Sequence, residues 1–598
     1  MQIILQKYLF AILFSLFLFS NSFATSNEFE SFVIQTSNSS YLSFDENKSV
    51  TNYNVKGSYV KNSFFLKTVS PLKISEATGK IIPSSGNVSL DNLFNKFKIS
   101  KIEKVFELHN GNPEIYSSLG MDKIYKVYLN ESENLNDVLN IVSEFGTNQH
   151  SEFAEPEFIG YAAGQRKKES FPLKNLTSEF ANSNFNPVVN EFNSSYNITL
   201  PNDEFYYKQW YLSNDGTIQP SGGRVASKIG ADINILKAWE IQKGSSDLII
   251  AVLDSGIMEN HPDIRNRIWI NKGEIPDNGR DDDGNGYIDD YKGWSFSYKN
   301  NNPFDGFGHG TNIASVIGAS TNNIIGFAGV DQNARIMNCK NLSDDNYGEY
   351  AWWAKSIKYA VDNGANVINM SEGGDDYSKT LKTSVEYALS QNRIIVAAMM
   401  NRGDDRDYYP ASFEGVFAIG ATDTDDNRCT RFSWGGGSCW GSHIGVVAPG
   451  NKIYGLDYED FNNYDIYWSG TSQSTAIVSG LSSLLLAQDN SRSPNDIMNI
   501  IKYTAVDLVG DPREDKPGWD KYYGYGRVDA FNALNLKRNV TDEELLKRVI
   551  NKPEDKETVT RRNEIRTDRA KAIDKNSRNE EVESKPDGAK STKPKNSN

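Results

Sequence analysis

Between about residues 203 and 537, short apolar runs alternate with longer segments whose apolar residues recur at helical spacing. Helices are predicted near residues 309–319, 350–363 and 378–391. The apolar runs before, between and after them read LIIAVLD, ARIMNCK, NVINMS, RIIVAAMM, FAIGAT and IGVVAPG. Nearly continuous apolar strands between helices are typical of a parallel sheet with both faces covered. The pattern predicts an α/β fold in three layers, with a mainly parallel sheet in the middle.

A different pattern precedes this region, within residues 25–161. Residues 124–129 (IYKVYL) alternate like a strand, and SEFAEPEF, from residue 151, looks extended. The apolar residues between these two pieces fall at helical spacing, namely Leu135, Val138, Leu139 and Val142. The pattern predicts a small α+β unit in front of the α/β region.

Three further segments carry little apolar periodicity. Residues 1–24 contain Lys7, a short apolar run and small residues ending at Ala24, which is typical of a secretory signal. An uncleaved N-terminal anchor is the alternative. Residues 162–202 include a basic run, QRKK, and are expected to be an exposed linker open to cleavage. Residues 538–598 are mostly charged and are expected to be disordered or transiently helical.

The segment SGTSQSTAIVSGLSSLLLA, which begins at Ser469, passes from small turn-forming residues into an apolar helix. Ser472 lies near its first turn, where free backbone N–H groups and the helix dipole can stabilise an oxyanion. A serine hydroxyl becomes a good nucleophile only when a base takes its proton and a third group orients that base. Alternatively, Ser472 only caps the helix. The catalytic interpretation therefore needs a histidine and a carboxylate elsewhere.

The chain has only five histidines, which narrows the search for the base. His309 opens an apolar helix, and Asp254 ends the strand LIIAVLD. Ligands of open parallel sheets bind beyond the carboxyl ends of the strands, so these residues and Ser472 can meet at one rim. Asp254 would orient His309, and His309 would take the proton of Ser472. Taken singly, Asp254 could cap a turn and His309 could be a core histidine.

Composition limits the partners. The net charge of −15 argues against a nucleic-acid partner, because binding to phosphates needs basic patches. Three cysteines are too few for a disulfide scaffold, and Cys429 and Cys439 could be bridged or free.

The motifs AVLDSGI, GHGTNIAS and SGTSQSTA resemble the three catalytic motifs of the subtilisin-like serine proteases, or subtilases. The resemblance extends from about Asp203 to Leu536. It implies an exported serine endopeptidase that acts on polypeptides, is made as a zymogen and is stabilised by calcium. Residues 25–161 resemble the family's inhibitory propeptide, a ferredoxin-like α+β domain that assists folding and is removed by self-cleavage. The chain's own propeptide is therefore an expected partner, with a maturation point between about 160 and 203.

The resemblance also implies further site residues. Asn401 matches the family's oxyanion asparagine, paired with the backbone N–H of Ser472. The segments expected to bind the substrate backbone contain Ser371, Glu372 and Gly373 on one side and Asn346, Tyr347 and Gly348 on the other.

Four residues, at three places in the chain, depart from the family pattern. Met399 and Met400 replace an Ala-Gly step before the oxyanion asparagine, and Met400 could narrow the primary pocket or tilt the oxyanion peptide. Ala476 replaces a proline near the start of the helix, which should still form because alanine favours helices. Glu372 replaces an apolar residue and could face the groove, favouring basic substrates, or be solvated.

Calcium is predicted at two loops. In DDDGNGYIDD, oxygen-bearing side chains alternate around a glycine bend, as calcium requires, with Asp281, Asp283, Asn285 and Asp289 or Asp290 as ligands. An acidic solvated loop is the alternative. TNNIIGFAGV resembles a subtilase calcium loop, which implies ligands from Asn323, Ile325, Phe327, Asp263 and Asp203.

Two other functions remain in competition. The departures at Met399, Met400 and Ala476 would also suit a subtilase-fold scaffold with little activity. A lipase or esterase predicts a G-x-S-x-G frame around the nucleophile, which Ser472 lacks. We expect the mature protein to be located outside the cell or at the cell envelope and to have no stable membrane span.

Overall fold

The computed structural model describes residues 33–34, 58–73, 86–130, 138–168, 199–220 and 226–550. The predicted signal segment and residues 551–598 of the charged tail lie outside these ranges. The chain divides into two compact units, Met1–Leu545 and Leu546–Asn598. In the part that the structure describes, every helix is too short or too polar to cross a membrane.

The strands, in chain order, are β1 Val33–Ile34, β2 Ser58–Thr68, β3 Lys101–Lys104, β4 Ile124–Tyr128, β5 Ser151–Ala162, β6 Gln165–Lys168, β7 Ile249–Asp254, β8 Gly293–Ser295, β9 Arg335–Lys340, β10 Gly348–Glu349, β11 Val367–Met370, β12 Glu372–Gly373, β13 Ile394–Ala398, β14 Phe417–Thr422, β15 Ile444–Pro449, β16 Ile453–Tyr454 and β17 Ile466–Ser469. The α-helices are α1 Val88–Lys96, α2 Pro113–Ser118, α3 Val138–Gly146, α4 Ile235–Ala238, α5 His309–Gly318, α6 Tyr350–Asp362, α7 Lys379–Ser390, α8 Thr471–Gln488, α9 Pro494–Thr504, α10 Ala530–Asn535 and α11 Asp542–Ile550. Two 3₁₀ turns span Met121–Lys123 and Tyr206–Lys208.

The central sheet has seven strands in the order β15-β14-β13-β11-β7-β9-β8, all parallel. Alternate residues of β7 enter two separate cores: Ala251 and Leu253 join the one that holds residues of α6 and α7. Ile250 and Val252 join the other, which holds residues of α5 and α8. Helices therefore cover both faces, and the predicted three-layer α/β fold is confirmed. The apolar runs were nearly continuous because both strand faces are buried.

The N-terminal unit, which we define as residues 58–162, is built on antiparallel strands in the order β5-β2-β4-β3. Its helices α1 and α3 contribute apolar residues to the same core as these strands, including Phe94 and Phe145. The strand, helix and extended segment expected here are present as β4, α3 and β5. β5 also reaches the α/β region, where it pairs with β10 and β12.

Two segments are more ordered than expected. Gln165–Lys168, predicted to lie in an exposed linker, forms β6 and pairs with β17, whose main chain supplies the ladder partners. The predicted tail begins with α11. Just before this helix, the Val540 carbonyl accepts a hydrogen bond from the Asn499 amide of α9, and the side chains of Val540 and Leu545 are buried. All three cysteines are free and buried, so Cys429 and Cys439 are not bridged.

Candidate active site

Asp254 and His309 meet at the carboxyl end of the sheet. Asp254 is the last residue of β7, and His309 is the first of α5; both are fully buried. The His309 Nδ1 atom lies 2.8 Å from Asp254 Oδ1 and 2.9 Å from Oδ2. The imidazole packs edge-on against Trp468, with ring centroids 5.0 Å apart. Its Nε2 atom is buried and has no hydrogen-bond partner among the described residues, which leaves it available as a base.

Ser472 is the second residue of α8. The helix forms with Ala476, in place of the family's proline, in its first turns, as alanine's helix propensity predicted. Its hydroxyl is fully buried and donates to the Ser371 carbonyl at 2.9 Å. The structure thus gives Ser472 Oγ a partner other than His309. His309 Nε2 has no hydrogen-bond partner among the described residues, so Ser472 Oγ does not hydrogen-bond to it in this structure.

Asn401 follows β13 and points at a peptide carbonyl. Its Oδ1 atom accepts hydrogen bonds from the Thr471 N–H at 2.9 Å and the Thr471 hydroxyl at 3.0 Å, which fixes the orientation of the amide. Its Nδ2 atom then donates to the Ala163 carbonyl at 2.5 Å. The Ser472 N–H donates to the same oxygen at 3.3 Å. Two donors therefore converge on one carbonyl, as stabilisation of an oxyanion requires.

The carbonyl belongs to a segment that fills a groove. Strand β5 lies antiparallel between β10 and β12, with Gly160 opposite Gly348 and Ala162 opposite Glu372. The Ala163 N–H donates to the Ser371 carbonyl at 2.9 Å. An ideal Cβ built on the next residue, Gly164, would lie only 3.1 Å from His309 Nε2. The Ala163–Gly164 peptide therefore lies between the imidazole and the two donors.

The predicted substrate segments contact this occupant in different ways. Gly348 and the pair Glu372–Gly373 form main-chain ladders with it, whereas Asn346 uses its side-chain oxygen to accept from the Ala162 N–H at 3.0 Å. Tyr347 packs its ring against Trp352, with centroids 5.6 Å apart.

The side chain of Glu372 is neither in the groove nor solvated, so both expectations for it were wrong. It is fully buried and accepts a hydrogen bond from the Asn341 amide at 2.7 Å. Burial, with the nearby charge of Asp254, raises the pKa of the Glu372 carboxyl well above its usual range. β12 pairs with the groove occupant through its backbone, and this carboxyl lies in the interior.

Met400 directly precedes Asn401, whose amide donates to the Ala163 carbonyl. It adopts a positive φ of 72°, a backbone conformation that residues other than glycine rarely adopt. Its thioether packs against Gly373: an ideal Cβ on that glycine would lie 2.7 Å from the Met400 sulfur. The Met400 side chain therefore crosses the space between the segments that hold the Ala163 N–H and carbonyl.

Of the carboxylates predicted for the first calcium loop, the structure groups two. Carboxylate oxygens of Asp281 and Asp283 lie within 4.8 Å of each other and of Glu274, which the sequence analysis missed. Glu274 lies outside the alternating loop, so its spacing gave no signal. Its Oε2 atom is buried and unpartnered among the described residues, which suits a cation.

The other residues of that loop are engaged elsewhere. Asn285 donates its amide to Asp283 and Asp290, at 3.2 and 3.0 Å. Asp290 also accepts from the Tyr359 hydroxyl at 2.6 Å, and Asp289 accepts the backbone N–H groups of residues 278 and 279. These hydrogen bonds hold the turn and leave Asp289 and Asp290 outside the carboxylate group, whereas Asn285 contacts Asp281 and Asp283 directly.

The second predicted loop gathers its two carboxylates. Asp263 accepts from the Asn323 amide at 2.7 Å and the Phe327 N–H at 2.9 Å. Asp203 accepts from the Asn323 N–H at 3.3 Å, and the Ile325 N–H donates to Asn323 Oδ1 at 2.8 Å. Both carboxylates are buried, and these donors are neutral. A calcium ion would offset their charge, so the donor set fits this metal.

Comparisons with known proteins match the α/β region. Residues 245–526 match the family model described as the subtilase family. The chain is 35% identical over 297 residues to the thermophilic serine proteinase of Bacillus sp. (strain AK1), covering 50% of this chain and 64% of that protein. It is 32% identical over 298 residues to thermitase of Thermoactinomyces vulgaris, covering 50% of this chain and 92% of thermitase.

A solved structure extends the likeness in fold. Fervidolysin from Fervidobacterium pennivorans, a keratinolytic enzyme related to subtilisin, superposes with a TM-score of 0.53 at 19% identity. The match covers 80% of this chain and 62% of fervidolysin. The near-complete match to thermitase, together with the family model, decides the family. The chain belongs to the subtilases, the subtilisin-like serine proteases.

Proposed function

We propose that this chain is an exported serine endopeptidase made as a zymogen, whose propeptide ends at Ala163 and is released by cleavage of the Ala163–Gly164 bond. The observation that carries the proposal is the pair of hydrogen bonds to the Ala163 carbonyl, from Asn401 Nδ2 at 2.5 Å and Ser472 N at 3.3 Å. The bond after that carbonyl leads to Gly164, which lies against His309 Nε2. The segment is thus held as a substrate would be.

Ser472, His309 and Asp254 would perform acyl transfer. His309 Nε2 takes the proton of the Ser472 hydroxyl as the oxygen attacks the Ala163 carbonyl carbon. The tetrahedral intermediate collapses by breaking the carbon–nitrogen bond, and His309 returns the proton to the departing amino group of Gly164. Water then attacks the acyl-enzyme while His309 takes its proton. His309 returns that proton to Ser472 Oγ as the ester bond breaks.

Asp254 and Asn401 would support these steps without exchanging protons. The Asp254 carboxylate holds the Nδ1 side of the ring, so that Nε2 faces the serine and the imidazolium is stabilised. Asn401 would strengthen its hydrogen bond as the carbonyl oxygen gains charge, an effect of about 3–4 kcal/mol for one side-chain donor.

Polypeptide substrates would use the same groove after the segment leaves. β10 and β12 offer main-chain hydrogen-bonding groups on both sides of the groove. An extended peptide could pair with them, and this pairing would restrict mainly the backbone of the peptide. The N-terminal unit would act as the intramolecular inhibitor until then. Its Glu155 accepts hydrogen bonds at the start of α7, from the Ser378 hydroxyl at 2.7 Å and the Thr380 N–H at 2.9 Å, which anchors the unit.

Calcium would stabilise the folded protease. Asp281, Asp283 and Glu274 would hold one ion, and Asp203, Asp263 and Asn323 a second. The positive charge of the ion would offset the negative charge of these carboxylates. Because the ion binds the folded state alone, it would stabilise that state.

A second candidate function is a subtilase-fold scaffold with little activity. It is favoured by the hydrogen bond from Ser472 Oγ to the Ser371 carbonyl, which turns the hydroxyl away from the imidazole. The two functions differ in whether Ser472 can be acylated.

Incubating the purified full-length zymogen with and without calcium separates them. We expect a new N-terminus at Gly164, labelling of Ser472 by a fluorophosphonate after processing, and neither in a Ser472→Ala variant. An intact chain with no label under both conditions would favour the scaffold. Labelling with a new N-terminus elsewhere would retain the protease and reject the proposed bond.

A further inference from the structure

The groove occupant continues past the proposed scissile bond as β6. This strand pairs antiparallel with β17, with Gln165 opposite Ser469 and Arg166 opposite Trp468. Counting from the Ala163–Gly164 bond, Arg166 is the third residue on the leaving-group side. Its position is therefore set by a main-chain ladder, as the position of a substrate residue would be.

Arg166 contacts two carboxylates and an aromatic ring. One guanidinium nitrogen lies 3.0 Å from Asp457 Oδ1 and 2.9 Å from Glu459 Oε2. The guanidinium carbon lies 5.2 Å from the centroid of the Tyr458 ring, within the range of a cation–π contact. Three consecutive side chains of the α/β region thus surround one cationic group.

The two carboxylates differ in environment. The Asp457 side chain is only 1% exposed, whereas that of Glu459 is 58% exposed. Asp457 is also held by the Asn463 amide, which donates to its Oδ2 at 2.7 Å. The hydrogen bond from Arg166 lowers the pKa of Glu459 below its usual value. Asp457 is therefore a buried carboxyl group inside the site, and Glu459 an exposed one at its edge.

These acceptors lie in the α/β region, far along the chain from the segment that carries Arg166. Tyr458 packs against Gly308, where an ideal Cβ would lie 2.3 Å from the tyrosine ring, and the next residue is His309. The acidic site is thereby attached to the start of α5. After cleavage, Arg166 would be the third residue of the new N-terminus, and Asp457 would lose its cationic partner once that N-terminal segment leaves the groove.

We infer that Asp457, Tyr458 and Glu459 form a subsite that binds a cationic side chain, arginine or lysine, at the third residue after the scissile bond of a peptide substrate. This inference rests on the proposed function. Arginine suits the site better than lysine, because its planar guanidinium can bridge two carboxylates and stack on a ring.

The test uses the processed enzyme and quenched fluorescent peptides that copy residues 158–168. Only the residue at position 166 changes: arginine, lysine, citrulline (the neutral isostere of arginine) or glutamate. We expect kcat/KM for the arginine peptide to exceed that for citrulline about tenfold, since charge-assisted hydrogen bonds at a partly exposed site are screened. Lysine should fall between them, and glutamate should be lowest. The preference should weaken at high salt.

Enzyme variants locate the preference. Glu459→Gln should reduce the ratio of arginine to citrulline rates, and Asp457→Asn should bring it close to one. Asp460→Asn is the matched control, because Asp460 is an exposed carboxylate of the same loop that accepts from the Asn462 N–H instead. It should leave the ratio unchanged. Because Glu459 is exposed, Glu459→Gln should leave the loop folded. It therefore still measures the arginine preference if Asp457→Asn disturbs the loop.

The outcomes separate the inference from the function on which it rests. Equal cleavage of all four peptides by an enzyme that takes the fluorophosphonate label would overturn the subsite and leave the protease. Such a result, with Arg166→Gln altering only the release of the intact precursor's N-terminal unit, would restrict the contact to the zymogen. If no peptide is cleaved and no label is taken, both the subsite and the proposed function fail.

Discussion

Met400→Gly should widen the pocket that receives the side chain before the scissile bond. In the structure that residue is Ala163, which is 2% exposed and carries only a methyl group. The Met400 side chain packs against Gly373, across the space beside it. The unaltered enzyme should therefore prefer alanine or other small residues at this position, and larger residues should compete only after the thioether is removed.

The structure gives the size of both effects. Leucine exceeds alanine by three carbons at about 0.8 kcal/mol each, so a pocket able to bury them gains at most about 2.4 kcal/mol, or about fiftyfold in kcat/KM. The free energy of unfolding should change less than the selectivity does. Relief of the positive φ at 72° offsets about 1 kcal/mol, against about 1.5–3 kcal/mol for the loss of the buried methionine. We expect a net destabilisation of about 1 kcal/mol.

The assay compares kcat/KM for peptides that carry alanine, leucine or phenylalanine at this one position. Met399→Ala is the control, since Met399 is fully buried but has no positive φ and should change stability more than selectivity. The reasoning is refuted if the unaltered enzyme already prefers leucine, or if Met400→Gly changes all three rates by one common factor.

Two further predictions concern stability. Burial raises the pKa of Glu157, which accepts from Lys126 at 2.9 Å, to about 7. The contribution of Glu157 to the free energy of unfolding is full below the pKa of this carboxyl in the unfolded chain, near 4.5. It is lost as the pH rises through 7. In a Ser472→Ala background, Glu157→Gln should therefore flatten the fall in melting temperature between pH 5 and 8 by the equivalent of about 1–3 kcal/mol, and parallel curves would contradict this. Calcium at a hundredfold its Kd should add about 2.7 kcal/mol to the free energy of unfolding. Asp283→Asn should reduce that gain while Asp282→Asn retains it, and equal calcium shifts in both variants would argue against the first site.

Local patterns were enough to predict the elements around the site. Asp254 and His309 were assigned to a strand end and a helix start because apolar periodicity and turn residues are properties of neighbouring positions. In a parallel sheet, such ends meet at one edge, so the contact between these two residues followed from the fold class. The predicted helix after Ser472 also formed without its proline, as alanine's helix propensity allowed.

Side-chain directions were not predictable in the same way. Glu372 was expected at the groove or in solvent, yet its carboxyl is buried against Asn341, which lies far away in sequence. Glu274 joined the acidic group of the first calcium loop without any spacing that could announce it. Each outcome depends on which remote segment packs against a strand or loop, and a single sequence does not encode that in any local period.

The sequence by itself determined the layered α/β fold, the order of the three motifs and the presence of an α+β unit in front, because each arises from short-range periodicity and turn chemistry. Only the tertiary structure decided what fills the groove. The Ala163 carbonyl meets Asn401, 238 positions later, and Arg166 meets Asp457, 291 positions later. Such contacts join elements that are remote in sequence, so their partners are determined by the packing of whole elements and not by neighbours along the chain.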